Sequence, residues 1–367
     1  MKYLFINTVA GSGSTGKIAA NQCRDLQKQG HQCVLAYGRW KANCDDIETY
    51  RIGTALDYRL HGMYTRISDR HGFGSKVATR KFLKWVENYN PDVIWLHNLH
   101  GYYINIEMLF DYLKKADKKV FWTLHDCWSF TGHCAHFTYA KCDKWKIGCY
   151  QCVQKNCYPK SIICDHSKEN YERKRKTFCG IKNMTLIVPS QWLADLVKES
   201  FLKDYLAEIV RNDIDKSIFK PTMGSFRAKY GLENKKILLG VASTWDERKG
   251  LDDYLKLAGM LSSDYKIVLV GLNKRQMKNL PDNVLGLAKT ESAEQLAEIY
   301  TAADVFVNLS YEENYPTVNL EAQTCGTTVV AYDTGGMKET LDEKSKGNLV
   351  SVGNVEEVKR RIGMILT

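Results

Sequence analysis

Lys236 to Val241 is an almost unbroken apolar run with no polar alternation. A strand of that kind needs both faces of its sheet covered, as in the parallel sheets of α/β domains. Comparable runs recur. The first part of the chain predicts strands at Tyr3 to Asn7, Cys33 to Tyr37, Val93 to Leu96, Val120 to Leu124, Thr185 to Val188 and Glu208 to Arg211. The second predicts them at Lys266 to Val270, Val284 to Leu287, Val305 to Leu309, Thr328 to Tyr332 and Leu349 to Val352. Helical patterns lie between many of these, including Lys17 to Gln29, Leu56 to Ser68, Ser75 to Asn90, Gln191 to Ser200 and Ala293 to Ala303. A chain of 367 residues makes about two domains the expectation. The polar Asn212-Asp213-Ile214-Asp215 segment divides it into residues 1–215 and 216–367.

In open α/β sheets, ligands bind just beyond the carboxyl ends of the strands. Ser310 to Thr334 places an acidic loop there, with Glu313 and Glu321 eight positions apart and Pro316-Thr317 as helix openers. Amides at that helix start suit an anion, and the carboxylates suit sugar hydroxyls. Asn314 and Tyr315 complete the loop. After the Lys236 strand comes Ser243-Thr244-Trp245-Asp246-Glu247-Arg248-Lys249-Gly250, where Arg248 and Lys249 are placed to meet phosphate. A structural reading of the same residues is a capped helix and a solvated loop pair. In the first half, Gly11-Ser12-Gly13-Ser14-Thr15-Gly16 links a strand to a helix, and Gly13 and Ser14 are candidates to cradle a phosphate or sugar. The loop nearly spells a nucleotide-binding P-loop, but Ile18 stands where a magnesium-ligating hydroxyl is needed. His97, His100 and His125-Asp126 follow two further strands.

The Glu313-x7-Glu321 spacing, with Gly335-Gly336-Met337-Lys338-Glu339 after the next strand, resembles retaining glycosyltransferases of family 4. That resemblance implies an α/β chain of two Rossmann-like domains facing a central cleft, the GT-B fold, with residues 1–215 on the acceptor side and 216–367 binding the nucleotide-sugar. It implies that Glu313 contacts the transferred sugar, Glu321 the nucleotide ribose, Lys249 the diphosphate, and that His125 points at the donor sugar. Three positions depart from the pattern: Asn314 and Pro316 stand where small glycines are usual, and Ser243 where an arginine is. The His125-Asp126-Cys127-Trp128 and Thr131-Gly132 sequences resemble those of polysaccharide-building members with a cysteine-rich insertion, here near 127–157. The implied donor is a UDP- or GDP-sugar and the implied acceptor a saccharide or lipid-linked saccharide. The implied catalysis needs no metal cofactor.

Of 12 cysteines, Cys134, Cys142, Cys149 and Cys152 have a spacing that can close a structural zinc site, with His133, Cys127 and Cys157 as spare ligands. Buried or idle thiols are the alternative. Residues 1–215 hold 32 Lys and Arg against 22 Asp and Glu, and residues 216–367 hold 20 against 20. A basic first half suits an anionic partner such as lipid headgroups. The basic run within Tyr171 to Phe178 reads as a solvated helix face. Nucleic-acid binding through the basic half and a zinc module is the rival reading, and salt-dependent DNA or RNA binding without sugar-nucleotide binding would mark it. No apolar run is long enough to span a bilayer and none resembles a signal peptide, so the expected location is cytoplasmic, with peripheral contact at the inner membrane face.

Overall fold

The computed structural model describes residues 1–367. They form two compact units, Met1–Val210 and Arg211–Thr367. The division falls just ahead of the Asn212 to Asp215 segment.

The first unit runs β1 (Lys2–Asn7), α1 (Gly13–Lys28), β2 (Gln32–Tyr37), β3 (Glu48–Arg51), α2 (Ala55–Ser68), α3 (Lys76–Tyr89), β4 (Val93–Leu96) and α4 (Ile106–Lys115). It continues with β5 (Lys119–Thr123), α5 (Ser167–Phe178), β6 (Met184–Val188), α6 (Gln191–Glu199) and β7 (Leu206–Ile209). The seven strands form one sheet in the order β3-β2-β1-β4-β5-β6-β7, parallel throughout. Strand β1 explains the unbroken apolar signal. Leu4 and Ile6 join Phe82 of α3 and Phe110 of α4 in one core, whereas Phe5, on the opposite face, packs with Ala19, Ala20 and Cys23 of α1. Burying each large side chain contributes ~1.5–3 kcal/mol, and here both faces use it.

The second unit runs α7 (Phe226–Tyr230), β8 (Lys236–Val241), α8 (Leu251–Met260), β9 (Tyr265–Val270), β10 (Val284–Leu287) and α9 (Ala293–Ala302). Then come β11 (Val305–Asn308), α10 (Thr317–Thr324), β12 (Thr328–Tyr332), β13 (Leu349–Val350) and α11 (Val355–Leu366). Its sheet has the order β10-β9-β8-β11-β12-β13 and is also all parallel. Alternate residues of β8 again serve opposite cores: Leu238 packs with Tyr254, Leu257 and Val358, and Ile237 and Leu239 with Ala297, Tyr300 and Ala322.

In each sheet the strand order reverses beside the central strand, between β1 and β4 and between β8 and β11. The loops leaving those strands diverge, and the crevice between them is where such sheets hold ligands. Topology therefore selects the loops after β8 and β11 in one unit and those after β1, β4 and β5 in the other.

Two local expectations are corrected, and one strand is found that the sequence did not suggest. Helix α1 begins at Gly13, so Gly13 and Ser14 lie in its first turn rather than in the loop before it. The glycine that loop requires is Gly11: its φ is +67° and a Cβ there would lie 2.0 Å from the Asn43 carbonyl oxygen. Strand β3 has a polar edge sequence that offered no apolar run. Finally, α5 is helical as expected, but Lys174 within its basic run is buried, not solvated.

Candidate functional site

In the second unit, the loop after β8 turns through Asp246, whose side chain accepts a hydrogen bond from the Lys249 amide and caps a short 3-10 turn over Glu247–Lys249. Gly250 then adopts φ +70°, and a Cβ there would sit 2.2 Å from the Leu309 carbonyl oxygen. Only glycine permits this approach, so the loop after β8 lies against the end of β11. The Tyr311 amide donates to the Arg248 carbonyl at 2.7 Å, which locks the two loops together.

Charged side chains meet across that seam. The Lys249 ammonium donates to the Glu313 carboxylate in an ion pair. Arg248 lies 3.1 Å from Asp246 and 3.7 Å from the buried Glu312. Burial works against the Arg248 charge, but Asp246, Glu312 and Glu313 outweigh it and hold the guanidinium above its ordinary range. Glu321, in α10, accepts a hydrogen bond from the Tyr300 hydroxyl at 2.9 Å. Asn314, Tyr315 and Pro316 are buried in the acidic loop, and Ser243, in the loop after β8, is exposed.

Helix α10 starts at Thr317 with Pro316 as its N-cap; the Thr317 hydroxyl makes no cap, contrary to expectation. The first turn carries no acidic residue, so no carboxylate within it offsets the positive end of the helix dipole. Asn319 fixes the helix. It accepts from the Asn308 side chain at 3.0 Å and donates to the Thr340 hydroxyl at 2.7 Å. Gly335 supports Glu313 from below, with φ +55° and no room for a Cβ, which would lie 1.8 Å from the Glu313 carbonyl oxygen. Gly335→Ala must displace the Glu313 backbone. It should cost ~1–3 kcal/mol of stability and lower turnover by about tenfold or more, since small misplacements at a site are expensive. Wild-type turnover in that variant would show that the position of Glu313 is unimportant.

Sequence reasoning missed the residue that holds the acidic loop. Asp253 of α8 is buried and accepts from the hydroxyls of Tyr311 (2.6 Å) and Tyr332 (2.8 Å) and from Lys256 (2.9 Å). Nothing in the spacing of those four residues announces that they meet.

In the first unit, His97 and His125 lie at the ends of adjacent strands, β4 and β5. The His97 Nδ1 is 3.0 Å from the His125 Nε2, and the rings stack with centroids 5.3 Å apart. Beside them, His100 Nε2 is 2.8 Å from Asp126, and its Nδ1 is 2.9 Å from the Tyr158 hydroxyl. Asp126 also accepts from the Trp128 amide at 2.9 Å. His97, His100, His125 and Asp126 line one shallow depression. The strands thus assemble the histidines, and the cysteine-rich segment contributes Tyr158.

Burial, more than any neighbour, lowers four histidines of the first unit: His61, His71, His97 and His125. His61 and His125 are pulled down to about 4, and His71 and His97 well below the ordinary value. Unfolded, each would titrate near about 6.5. The unfolded chain therefore binds more protons at intermediate pH, and stability present above about 6.5 is lost as the pH falls toward about 4. His133 has the opposite sign. Burial lowers it, but its buried bond to Asp69 prevails and raises it, giving stability that is present at low pH and fades as the pH rises. Four groups against one predict a net loss of roughly 3 kcal/mol or more between pH 7 and about 4.5. Urea unfolding followed by tryptophan fluorescence would reveal it, and a pH-independent midpoint would contradict it.

The four candidate zinc ligands lie near one another but not in the arrangement of a metal site. The Cys134 thiol is hydrogen-bonded to Cys152, Cys149 accepts from the Gly132 amide at 3.2 Å, and no group of three or more His, Cys, Asp or Glu side chains is placed to hold a metal. The thiols as they stand do not fit the ion. The segment is ordered instead by packing: Phe137 stacks on the buried Trp145 at 4.8 Å, and His133 is tied to Asp69.

Residues 223–367 match the family model described as Glycosyl transferases group 1. The Escherichia coli (strain K12) protein WcaC, provisionally named a colanic acid biosynthesis glycosyl transferase, is 26% identical over 365 residues, covering 96% of this chain and 87% of its own. Among solved structures, sucrose-phosphate synthase from Thermosynechococcus elongatus gives a TM-score of 0.73 at 18% identity, over 100% of this chain and 89% of that one. Anabaena HepE, solved in complex with UDP-glucose, gives 0.67 at 15% identity, over 100% of this chain and 90% of that one.

Proposed function

We propose, from the premise that residues 223–367 are a group 1 glycosyl transferase domain in a chain with the GT-B fold, that this protein transfers a sugar from a nucleotide diphosphate-sugar to a hydroxyl of a saccharide acceptor, with retention of configuration. Cell-surface polysaccharide assembly is the setting we favour, because the similarity to WcaC runs over 96% of the chain.

One observation carries the reading: the Lys249–Glu313 ion pair joins the loops after β8 and β11 at the switch point of the second sheet. In the transfer, the bond from the anomeric carbon to the diphosphate oxygen breaks. A bond to the acceptor hydroxyl oxygen forms on the same face, and the acceptor proton leaves to the departing diphosphate. Negative charge grows on that diphosphate. Lys249, Arg248 and the amide end of α10 would meet it, and fixed charges aimed at developing charge are the largest single source of catalysis at such sites. Released from Lys249, Glu313 would orient the sugar hydroxyls. Glu321, held by Tyr300, would take the ribose. In this reading His125, neutral near pH 7, positions the donor sugar without a charge of its own, and the first turn of α1, at Gly13 and Ser14, serves the acceptor side.

The reading is tested by offering α-configured UDP- and GDP-hexoses with a saccharide acceptor and resolving the product anomer by proton NMR. We expect an α-linked product. A β-linked product would rule out retention, and no turnover with any donor would remove the assignment.

A further inference from the structure

Helix α2 reverses the usual arrangement of a surface helix. His61, Gly62 and Thr65 face the protein interior. Outward, Leu56, Leu60, Met63 and Ile67 follow the spacing of a single helical face, and their exposures are 63%, 51%, 53% and 54%. Four large apolar side chains aligned toward solvent form a continuous stripe, unlike the scattered exposed residues normal on surfaces.

The stripe extends onto a second element. The Ile162 amide donates to the Arg66 carbonyl at 2.7 Å and the Cys164 amide to the Ile67 carbonyl at 3.2 Å, so the cysteine-rich segment runs along the end of α2. Ile162 and Ile163 add exposures of 59% and 65%. Cations border the apolar surface. Arg59 and Arg66 are exposed along one side of the helix, and Lys160 is exposed just before the two isoleucines. The nearby carboxylates are occupied: Asp57 caps the helix through Thr54, and Asp69 is buried against His133.

We propose that this face, α2 together with Ile162 and Ile163, docks on an anionic lipid bilayer, with the apolar row entering the acyl boundary and Arg59, Arg66 and Lys160 at the headgroups. An interfacial helix needs this combination of an apolar stripe and flanking cations, and each cation adds attraction to an anionic surface. No helix of the chain is long and apolar enough to cross a membrane, so this contact is peripheral. It rests on the first unit alone and stands whether or not the proposed transfer reaction is correct, because vesicle binding is read without turnover.

The full chain is mixed with vesicles of phosphatidylcholine, with or without about one-third phosphatidylglycerol, and binding is measured by flotation. The expected result is binding to the anionic vesicles, weakening with salt, and little binding to neutral ones. The double variant Leu60→Ser, Ile67→Ser should reduce it by about tenfold or more, as should Arg59→Ala, Arg66→Ala, with thermal unfolding unchanged because all four positions are exposed. The proposal is overturned if the wild-type chain does not float with anionic vesicles or if the apolar double variant floats equally well. It is also overturned if light scattering shows a dimer that Leu60→Ser, Ile67→Ser dissociates while wild type leaves vesicles unbound; the face would then be an interface between copies.

Discussion

Lys249→Ala is expected to lower kcat/KM for sugar transfer by roughly 10²–10³-fold, the scale seen when one group stabilising a developing anion is removed. Its melting temperature should barely move. The ion pair with Glu313 is partly solvated, with side-chain exposures of 28% and 13%, and pairs of that kind contribute little to folding. Two effects combine in the loss. The cation that would meet the diphosphate is gone, and the Glu313 carboxylate it neutralised is left to repel the same diphosphate. Glu313→Gln separates them: it removes the repulsion but also the carboxylate that orients the sugar, so kcat should fall while the donor KM changes less. The double variant should be far from additive, because the two residues act as one unit. Steady-state kinetics on the two single variants and the pair would decide it, and wild-type kcat/KM in Lys249→Ala would refute the role.

Lys174→Met is expected to cost roughly 2–4 kcal/mol of stability. Lys174 is buried, donates to the carbonyls of Trp128 (2.7 Å) and Thr131 (3.0 Å), and lies 3.5 Å from the centroid of the Trp128 ring. Methionine fills similar space but leaves both carbonyls without this donor, at ~1–3 kcal/mol each. Relief of the buried amine's desolvation offsets part of that. Burial pulls Lys174 down to about 7 despite nearby Cys149 and Cys134 thiols and the Asp126 and Asp69 carboxylates. Its unfolded value is near 10.4. A depressed value means stability that is full above about 10 and is lost as the pH falls to about 7. The gap between wild type and variant should therefore narrow over that window, which a purely steric effect would not do. Urea unfolding at pH 7 and at pH 10 reads both the cost and its pH dependence. An equally stable variant would mean that the 128–131 turn is held by other contacts.

What the sequence disclosed follows from how each signal arises. The central strands were legible because both faces of β1 and β8 pack against helices, which demands unbroken apolar runs. Strand β3 was not, because it pairs only with β2 at the sheet edge and can be built from Glu48-Thr49-Tyr50-Arg51. Glu313 and Lys249 could be picked out because each follows a strand at a fixed offset, which is a local feature. Asp253, Tyr311 and Tyr332 could not, because their meeting depends on three elements packing in space. Lys174 was hidden by composition: a run of cations reads as solvated, although the buried Asn170, Tyr171, Lys174, Thr177 and Phe178 share one helical face. The cysteine-rich segment carries a signal of another kind. Its spacing suggests a metal, and the aromatic packing and the His133–Asp69 bond that also hold it depend on contacts between distant residues.

Isothermal titration of the protein with nucleoside diphosphates and their sugars is the sharpest check on donor binding by the second unit. Saturable binding of UDP or GDP is expected, lost in Lys249→Ala and weakened in Glu321→Ala, with both variants still folded. Failure of every nucleoside diphosphate to bind, or unchanged affinity in Lys249→Ala, would contradict it.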